Sequence, residues 1–294
     1  MTATRLDIHQ LITNQIIAAI ESGAGEFKLP WHRSGADLSQ PRNIASQSVY
    51  RGINVLTLWL TAEAKGYPSG LWGTFNQWTA LGAKIRKGEK ASLVVFYKET
   101  IPSKIDETVD KKSCRIARAT PVFALEQVED YAPEISALEP DPSHNINCEA
   151  EAFIKKTGAI ILHGGSAAYY QPANDGIHLP VKNAFIASES SSAEESYYAT
   201  VFHELIHFTG RTDRCDRDLT GRFGTSAYAM EELIAELGAA FLCSHFKISS
   251  APRKDHAQYL ANWLSVMKSD KRAIFSAASQ ASRAVDFLLD DRGS

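Results

Sequence analysis

The chain has no run of eighteen apolar residues, so no membrane-spanning helix is expected and the membrane is excluded as a partner. Cysteine is scarce and scattered: Cys114, Cys148, Cys215 and Cys243 form no C-x-x-C pair. That argues against a cysteine zinc site or a disulfide framework and suits a reducing cytosol. The opening stretch MTATRLDIHQLITNQ lacks a basic flank followed by an apolar segment, so a secretory leader is not expected and a cytoplasmic location is. Internal repeats and long low-complexity tracts are missing too.

What is present is an ordinary globular balance. The 294 residues are 44% hydrophobic and 22% charged, enough for two domains or one large one. The net charge of −3 hides an asymmetry. Residues 28–104 carry eleven Lys/Arg against four Asp/Glu, whereas residues 131–294 carry fifteen against twenty-one. A basic front and an acidic back point to two modules with different partners.

Apolar spacing predicts helices over residues 5–22 and 52–65, each stopped by a glycine, and a capping box of Thr74 with Gln77 opens a short helix. AKIRKGEKASLVVFYKE reads as two strands around a basic turn, and ARATPVFALEQV as a further strand after a mobile loop at 102–113. Residues 132–145 hold three prolines and three acids with no period. They are the expected linker between a front domain, 1–131, and a back domain, 146–294. In the back, a helix, a strand and a hairpin around Asn174-Asp175-Gly176 precede a capped helix ending at Gly210. Helical stretches near 226–246, 253–268 and 270–290 complete an α+β pattern.

The capped helix carries FHELIHFTG. Positions i and i+4 share one helical face, so His203 and His207 can bind one metal together. Glu204 can then take a proton from a water activated by that metal, the arrangement of peptide-cleaving zinc sites. Two third ligands compete. HELIHFTGRTD also fits HExxHxxGxxD, which would place Asp213 on the metal. The helix YAMEELIAELGAAFL offers Glu232, with Glu236 one turn on, a relation that resembles the long-spaced zinc peptidases (gluzincins). There a glutamate on a second helix binds zinc and an acid four residues later orients a histidine. Glu232 is preferred as the ligand and Glu236 as the orienting acid. Glu231 reads as a solvated helix charge, and Tyr228 as a packing residue or an oxyanion donor. Zn²⁺ is the expected cofactor, with Mn²⁺ the other divalent candidate.

In the front, aromatic rings alternate with basic residues, as a single-strand binder needs, because bases stack on flat rings while Lys and Arg follow the phosphates. The candidate rings are Trp31, Tyr50, Trp72, Phe75 and Trp78. The candidate cations are Arg42, Arg51, Lys84, Arg86, Lys87 and Lys90. Trp59 falls on an apolar helix face and belongs to the core.

Taken together, PWHRSG, PRN, YRGINVLTL, GLWGTFNQWTALGAKIRKGEK, DGIHLP, FHELIHFTGR and DRDLTGRFGTSAYAMEELIAELGA resemble the ArdC family of antirestriction proteins of conjugative plasmids. The same arrangement is similar to the front of TraC-type plasmid primases. The resemblance covers nearly the whole chain. It implies a mixed α/β front domain that binds single-stranded DNA, followed by a zincin-like metallopeptidase domain. It implies protection of incoming plasmid DNA from host restriction during conjugation, with the restriction enzyme or another DNA-bound protein as the peptidase's substrate. His203, Glu204 and His207 match the family's peptidase motif and Glu232 its EELxAE segment. Asp213 is not a position of that pattern.

Overall fold

The computed structural model describes residues 7–23, 29, 31–32, 40–100, 114–132, 146–222, 224–249 and 256–290. The expected loop at 102–113, and the expected linker beyond residue 132, lie outside the described residues.

Isoleucines at helical spacing make α1 (Ile8–Gly23) amphipathic, with Ile8, Ile12, Ile16 and Ile20 buried. After β1 (Arg42–Asn43), α2 (Ile53–Lys65) buries Leu56, Leu58 and Trp59 and stops at Gly66, whose φ of 67° lies in the left-handed region. β2 (Leu71–Gly73) leads into α3 (Phe75–Ala80), opened by the reciprocal capping box of Thr74 and Gln77. β3 (Lys84–Ile85), β4 (Ser92–Thr100), β5 (Cys114–Ala124) and β6 (Val128–Glu129) follow.

The first four-stranded sheet has the order β1-β2-β5-β4, while β3 and β6 form a separate pair. Both strands expected around the basic turn exist, but they do not pair with each other. Gly88, at φ 91°, turns the chain out of the small sheet. Gln127 then pins the turn through hydrogen bonds of 2.9 Å to Glu89 Oε2 and to the Lys90 carbonyl.

The back half opens with α4 (Ile146–Lys156) and a three-stranded sheet of β7 (Ile160–His163), β8 (Tyr169–Gln171) and β9 (Gly176–Leu179). β9 is central, parallel to β7 and antiparallel to β8. Helices α5 (Ala193–Phe208), α6 (Ser226–His245), α7 (His256–Ser269) and α8 (Ala273–Leu289) complete it. Ser192 and Glu195 cap α5 reciprocally, and Glu195 also accepts the Ser249 backbone N–H at 2.9 Å.

One hydrophobic cluster runs from Ile12 and Trp59 through Phe202 and Leu237 to Ala281, so the halves share a core. Trp59 packs on Phe241 with ring centroids 5.9 Å apart. Polar contacts tie the same interface: Thr13 Oγ1 donates to the Lys271 carbonyl at 2.8 Å, and the Gly52 N–H to Ser282 Oγ at 2.8 Å. Among the described residues no helix is long and apolar enough to cross a membrane.

Candidate metal centre

The centre sits where α5 and α6 cross. One turn apart on α5, the His203 and His207 rings lie 4.9 Å apart at 76°. Gly238 lets α6 approach, since a Cβ there would meet Ile206 Cδ1 at 2.6 Å. The crossing sets Glu232 between the two rings. Its Oε2 is 3.6 Å from His203 Nε2 and its Oε1 is 3.5 Å from His207 Nε2. Bonds of about 2.1 Å at tetrahedral angles put donor atoms roughly 3.4 Å apart, so this nitrogen, nitrogen and carboxylate set fits a zinc-like divalent cation. Asp213 is elsewhere: its side chain is 60% exposed and pairs with Arg211.

Each histidine has a second carboxylate behind it. His207 Nδ1 is hydrogen-bonded at 3.0 Å to Glu231 Oε1. Both oxygens of Glu231 also receive the Arg217 guanidinium, from Nη2 and Nε at 2.9 Å. Glu231 is buried, which corrects its reading as a solvated charge, because an acid on this face is enclosed by the loop that brings Arg217 in. Burial raises the Glu231 carboxyl's pKa, but His207 and Arg217 outweigh it and the net shift is downward. On the other side Glu236 Oε2 lies 3.6 Å from His203 Nδ1. For Glu232, burial raises the pKa and the two histidines more than reverse it, holding the carboxyl at about 2.

The centre opens on a cleft of about 320 Å³ lined by His203, Glu204, His207, Tyr228 and Glu232, with Tyr169 and Tyr170 of β8 along one wall. Glu204 is 3% exposed. Tyr228 shares a 3.1 Å hydrogen bond with Tyr259. Burial first, then that bond, raises the Tyr228 hydroxyl's pKa and keeps it a neutral donor. Asp175, in the hairpin turn after β8, accepts from Tyr170, Arg211 and Arg214 and ties the cleft wall to the loop after α5.

The front candidates separate. Trp31 and Trp78 are fully buried and Trp72 is 1% exposed. A ring with both faces packed cannot stack on a base, so these three tryptophans leave the nucleic-acid set. Trp31 packs against Trp263, and the Trp78 indole donates to the Phe123 carbonyl. Phe75 stays exposed, with Lys87 and Lys90. Lys84 pairs with Asp130 at 2.7 Å, and Arg86 donates to the Glu126 carbonyl at 2.9 Å. Tyr50 is half-buried, and Arg51 pairs with Asp286 of α8. Those two line a groove of about 640 Å³ between the front sheet and α8, and Arg42 lines an adjoining one. The groove also takes in Phe96 and Tyr97 of β4, 52% and 50% exposed. The sequence reading missed both rings, although paired aromatics beside Lys98 were the available signal.

The N-terminal domain of anti-restriction factor ArdC matches residues 6–128, and the zincin-like metallopeptidases match residues 148–280. The crystal structure of the antirestriction protein ArdC from the R388 plasmid in its metal-free form is 36% identical. It superposes with a TM-score of 0.79 over 97% of both chains. The Mn(II)-bound form of that protein gives 34% identity and 0.75 over the same shares. An uncharacterized protein of Sinorhizobium fredii (strain NBRC 101917 / NGR234) is 44% identical over 97% of this chain and 92% of its own. Two DNA primases TraC of Escherichia coli are 31% and 32% identical over 96% and 98% of this chain, which spans 20% and 28% of their lengths. The Mn(II)-bound relative and the zincin-like match together point to a divalent metal.

Proposed function

The chain belongs to the family of the antirestriction protein ArdC, and on that footing we propose that it binds single-stranded DNA and cleaves protein bound near it. In this reading it acts in the cytoplasm and protects incoming plasmid DNA from host restriction during conjugation. The peptide substrate is the restriction enzyme or another DNA-bound protein.

One observation carries the peptidase reading: a triad of metal donors opens on a cleft in which a further carboxylate, Glu204, is free of the triad. A purely structural zinc needs no base beside it. His203, His207 and Glu232 would hold Zn²⁺ or Mn²⁺, and a divalent ion there would acidify a water and polarise a peptide carbonyl. Glu204, beside the triad in the cleft, would accept a proton from water and return it to the departing amine. Tyr228, kept neutral, donates a hydrogen bond to the oxyanion. The edge of β8 along the cleft suits an extended peptide that adds to the sheet through main-chain hydrogen bonds. On the DNA side, the rings of Tyr50, Phe96 and Tyr97 with Arg51 supply stacking surfaces and charge in one groove.

The test is Glu204→Ala in the full chain, compared with wild type for Mn²⁺ binding, single-strand binding, proteolysis and protection in a conjugation assay. Metal and DNA affinity should persist while proteolysis and protection disappear. A variant that protects as well as wild type would leave passive shielding as the mechanism and sink the protease reading.

A further inference from the structure

The carboxylate behind His203 is held from the other half of the chain. Glu236 is 6% exposed, and a carboxylate so deeply placed needs donors. Two arrive from the front: the Trp31 indole N–H donates to Oε1 at 3.3 Å, and His32 Nε2 faces the same oxygen at 2.9 Å. The tautomer of His32 follows from its other nitrogen. Nδ1 accepts the Leu29 backbone N–H at 3.1 Å, so the neutral ring carries its proton on Nε2, directed at Glu236. Trp31 is fully buried and His32 is 7% exposed, so neither has water to turn to.

We infer that Trp31 and His32 are positioning residues of the metal centre. By occupying Glu236 Oε1 they keep Oε2 turned toward His203 Nδ1, a buried ring nitrogen with no hydrogen bond, 3.6 Å away, so that Oε2 is placed to take the Nδ1 proton when a cation draws on the ring. His203 Nε2, which faces Glu232, then carries the lone pair a cation requires. Without the two donors Glu236 turns toward other partners, and His203 is released to the tautomer that presents an N–H to the cation. The front half is thus part of the metal centre as well as a neighbour to it. The inference rests on the metallopeptidase reading above, since a centre without a cation has no use for that tautomer.

The experiment uses the full chain, stripped by chelator and titrated calorimetrically with Mn²⁺ alone and Zn²⁺ alone. His32→Ala should weaken both by about 10–100-fold, the usual cost of losing an outer support of a metal ligand. His32→Gln returns an N–H donor and should recover most of the loss. Trp31→Phe, which keeps a ring but no N–H, should fall on the weaker side of wild type.

Thr13→Val is the control, because it cuts a hydrogen bond between the halves, at Lys271, without touching Glu236. It should lower the unfolding temperature and leave metal affinity unchanged. Wild-type affinity in His32→Ala, or equal losses in His32→Ala and Thr13→Val, overturns the inference. If His32→Ala does not fold, wild-type affinity in Trp31→Phe overturns it instead. Wild-type protein that binds neither cation removes the metal reading itself, a failure visible before any variant is compared.

Discussion

Glu231 Oε1 meets His207 Nδ1 at 3.0 Å while Arg217 grips both oxygens of the same carboxylate. With Glu236 behind His203, α6 thus backs each histidine with an acid and places Glu232 between them. Three glutamates on one helix serve one site because positions 231, 232 and 236 fall on its α5 side at this crossing.

Glu231→Ala should therefore cost twice. Metal affinity should drop by about 10–100-fold as His207 loses its orientation. Stability should also fall, by about 3 kcal/mol, because the Arg217 guanidinium is left buried without its counter-charge. Arg217 keeps the Thr209 hydroxyl and the Ile206 carbonyl, which is why the low end of the range applies. Calorimetric Mn²⁺ titration and urea denaturation read the two losses separately, and unchanged values in both would show that Glu231 supports nothing.

For the DNA groove, Phe96→Ala and Tyr97→Ala should each weaken binding of a single-stranded oligonucleotide by about 1–3 kcal/mol, the range for loss of one stacked base. Asp286→Ala should tighten it, because Arg51 is freed from its partner on α8. Fluorescence anisotropy at fixed salt measures all three. A larger loss in Phe75→Ala than in Phe96→Ala would move the binding face away from the groove.

Much of this architecture was legible because its signals are local. The Ser192 and Thr74 capping boxes, the isoleucine stripe of α1 and the i, i+4 histidines depend only on residues within one or two turns. What stayed hidden depends on distant residues. Trp31 beside basic residues reads as a stacking platform, yet its burial is decided by Trp263 and Glu236, more than two hundred positions away. Glu231 reads as solvated because Arg217 reaches it only after a loop folds back over α5 and α6. The pairing of β3 with β6, and not with β4, is equally invisible until Gln127 closes on the turn.

Asp175 gives a pH dependence with a definite sign. Hydrogen bonding from Arg214, helped by Tyr170 and the nearby guanidinium charges, outweighs burial and lowers its pKa from 3.8 to about 2. A folded pKa below the unfolded one means stability that is present above 3.8 and lost as pH falls toward about 2. Wild type should thus melt above Asp175→Asn at neutral pH, and the gap should close across that acid window. Thermal melts at several pH values would show it, and a gap independent of pH would rule out the ion pair as its source.

The spacing of α5 and α6 should be the most sensitive single dimension of the centre. At Gly238 an added Cβ would lie 2.6 Å from Ile206 Cδ1 and 2.7 Å from Cγ1, inside any real contact. Ile206 is fully buried, so its side chain has little room to yield, and the helices must separate or Ile206 must leave its rotamer. Gly238→Ala should therefore cost about 1–3 kcal/mol, offset in part by alanine's better helix propensity. The informative readout is metal affinity. Ile206 adjoins His207 on α5, while Gly238 lies two residues past Glu236 on α6, so parting the helices lengthens the 3.5 and 3.6 Å donor separations at Glu232. Mn²⁺ affinity should fall with stability, and the double variant Ile206→Ala with Gly238→Ala, which removes both clashing atoms, Cδ1 and Cγ1, should regain the metal affinity. A double variant no better than Gly238→Ala would show that the contact with Ile206 does not set the spacing.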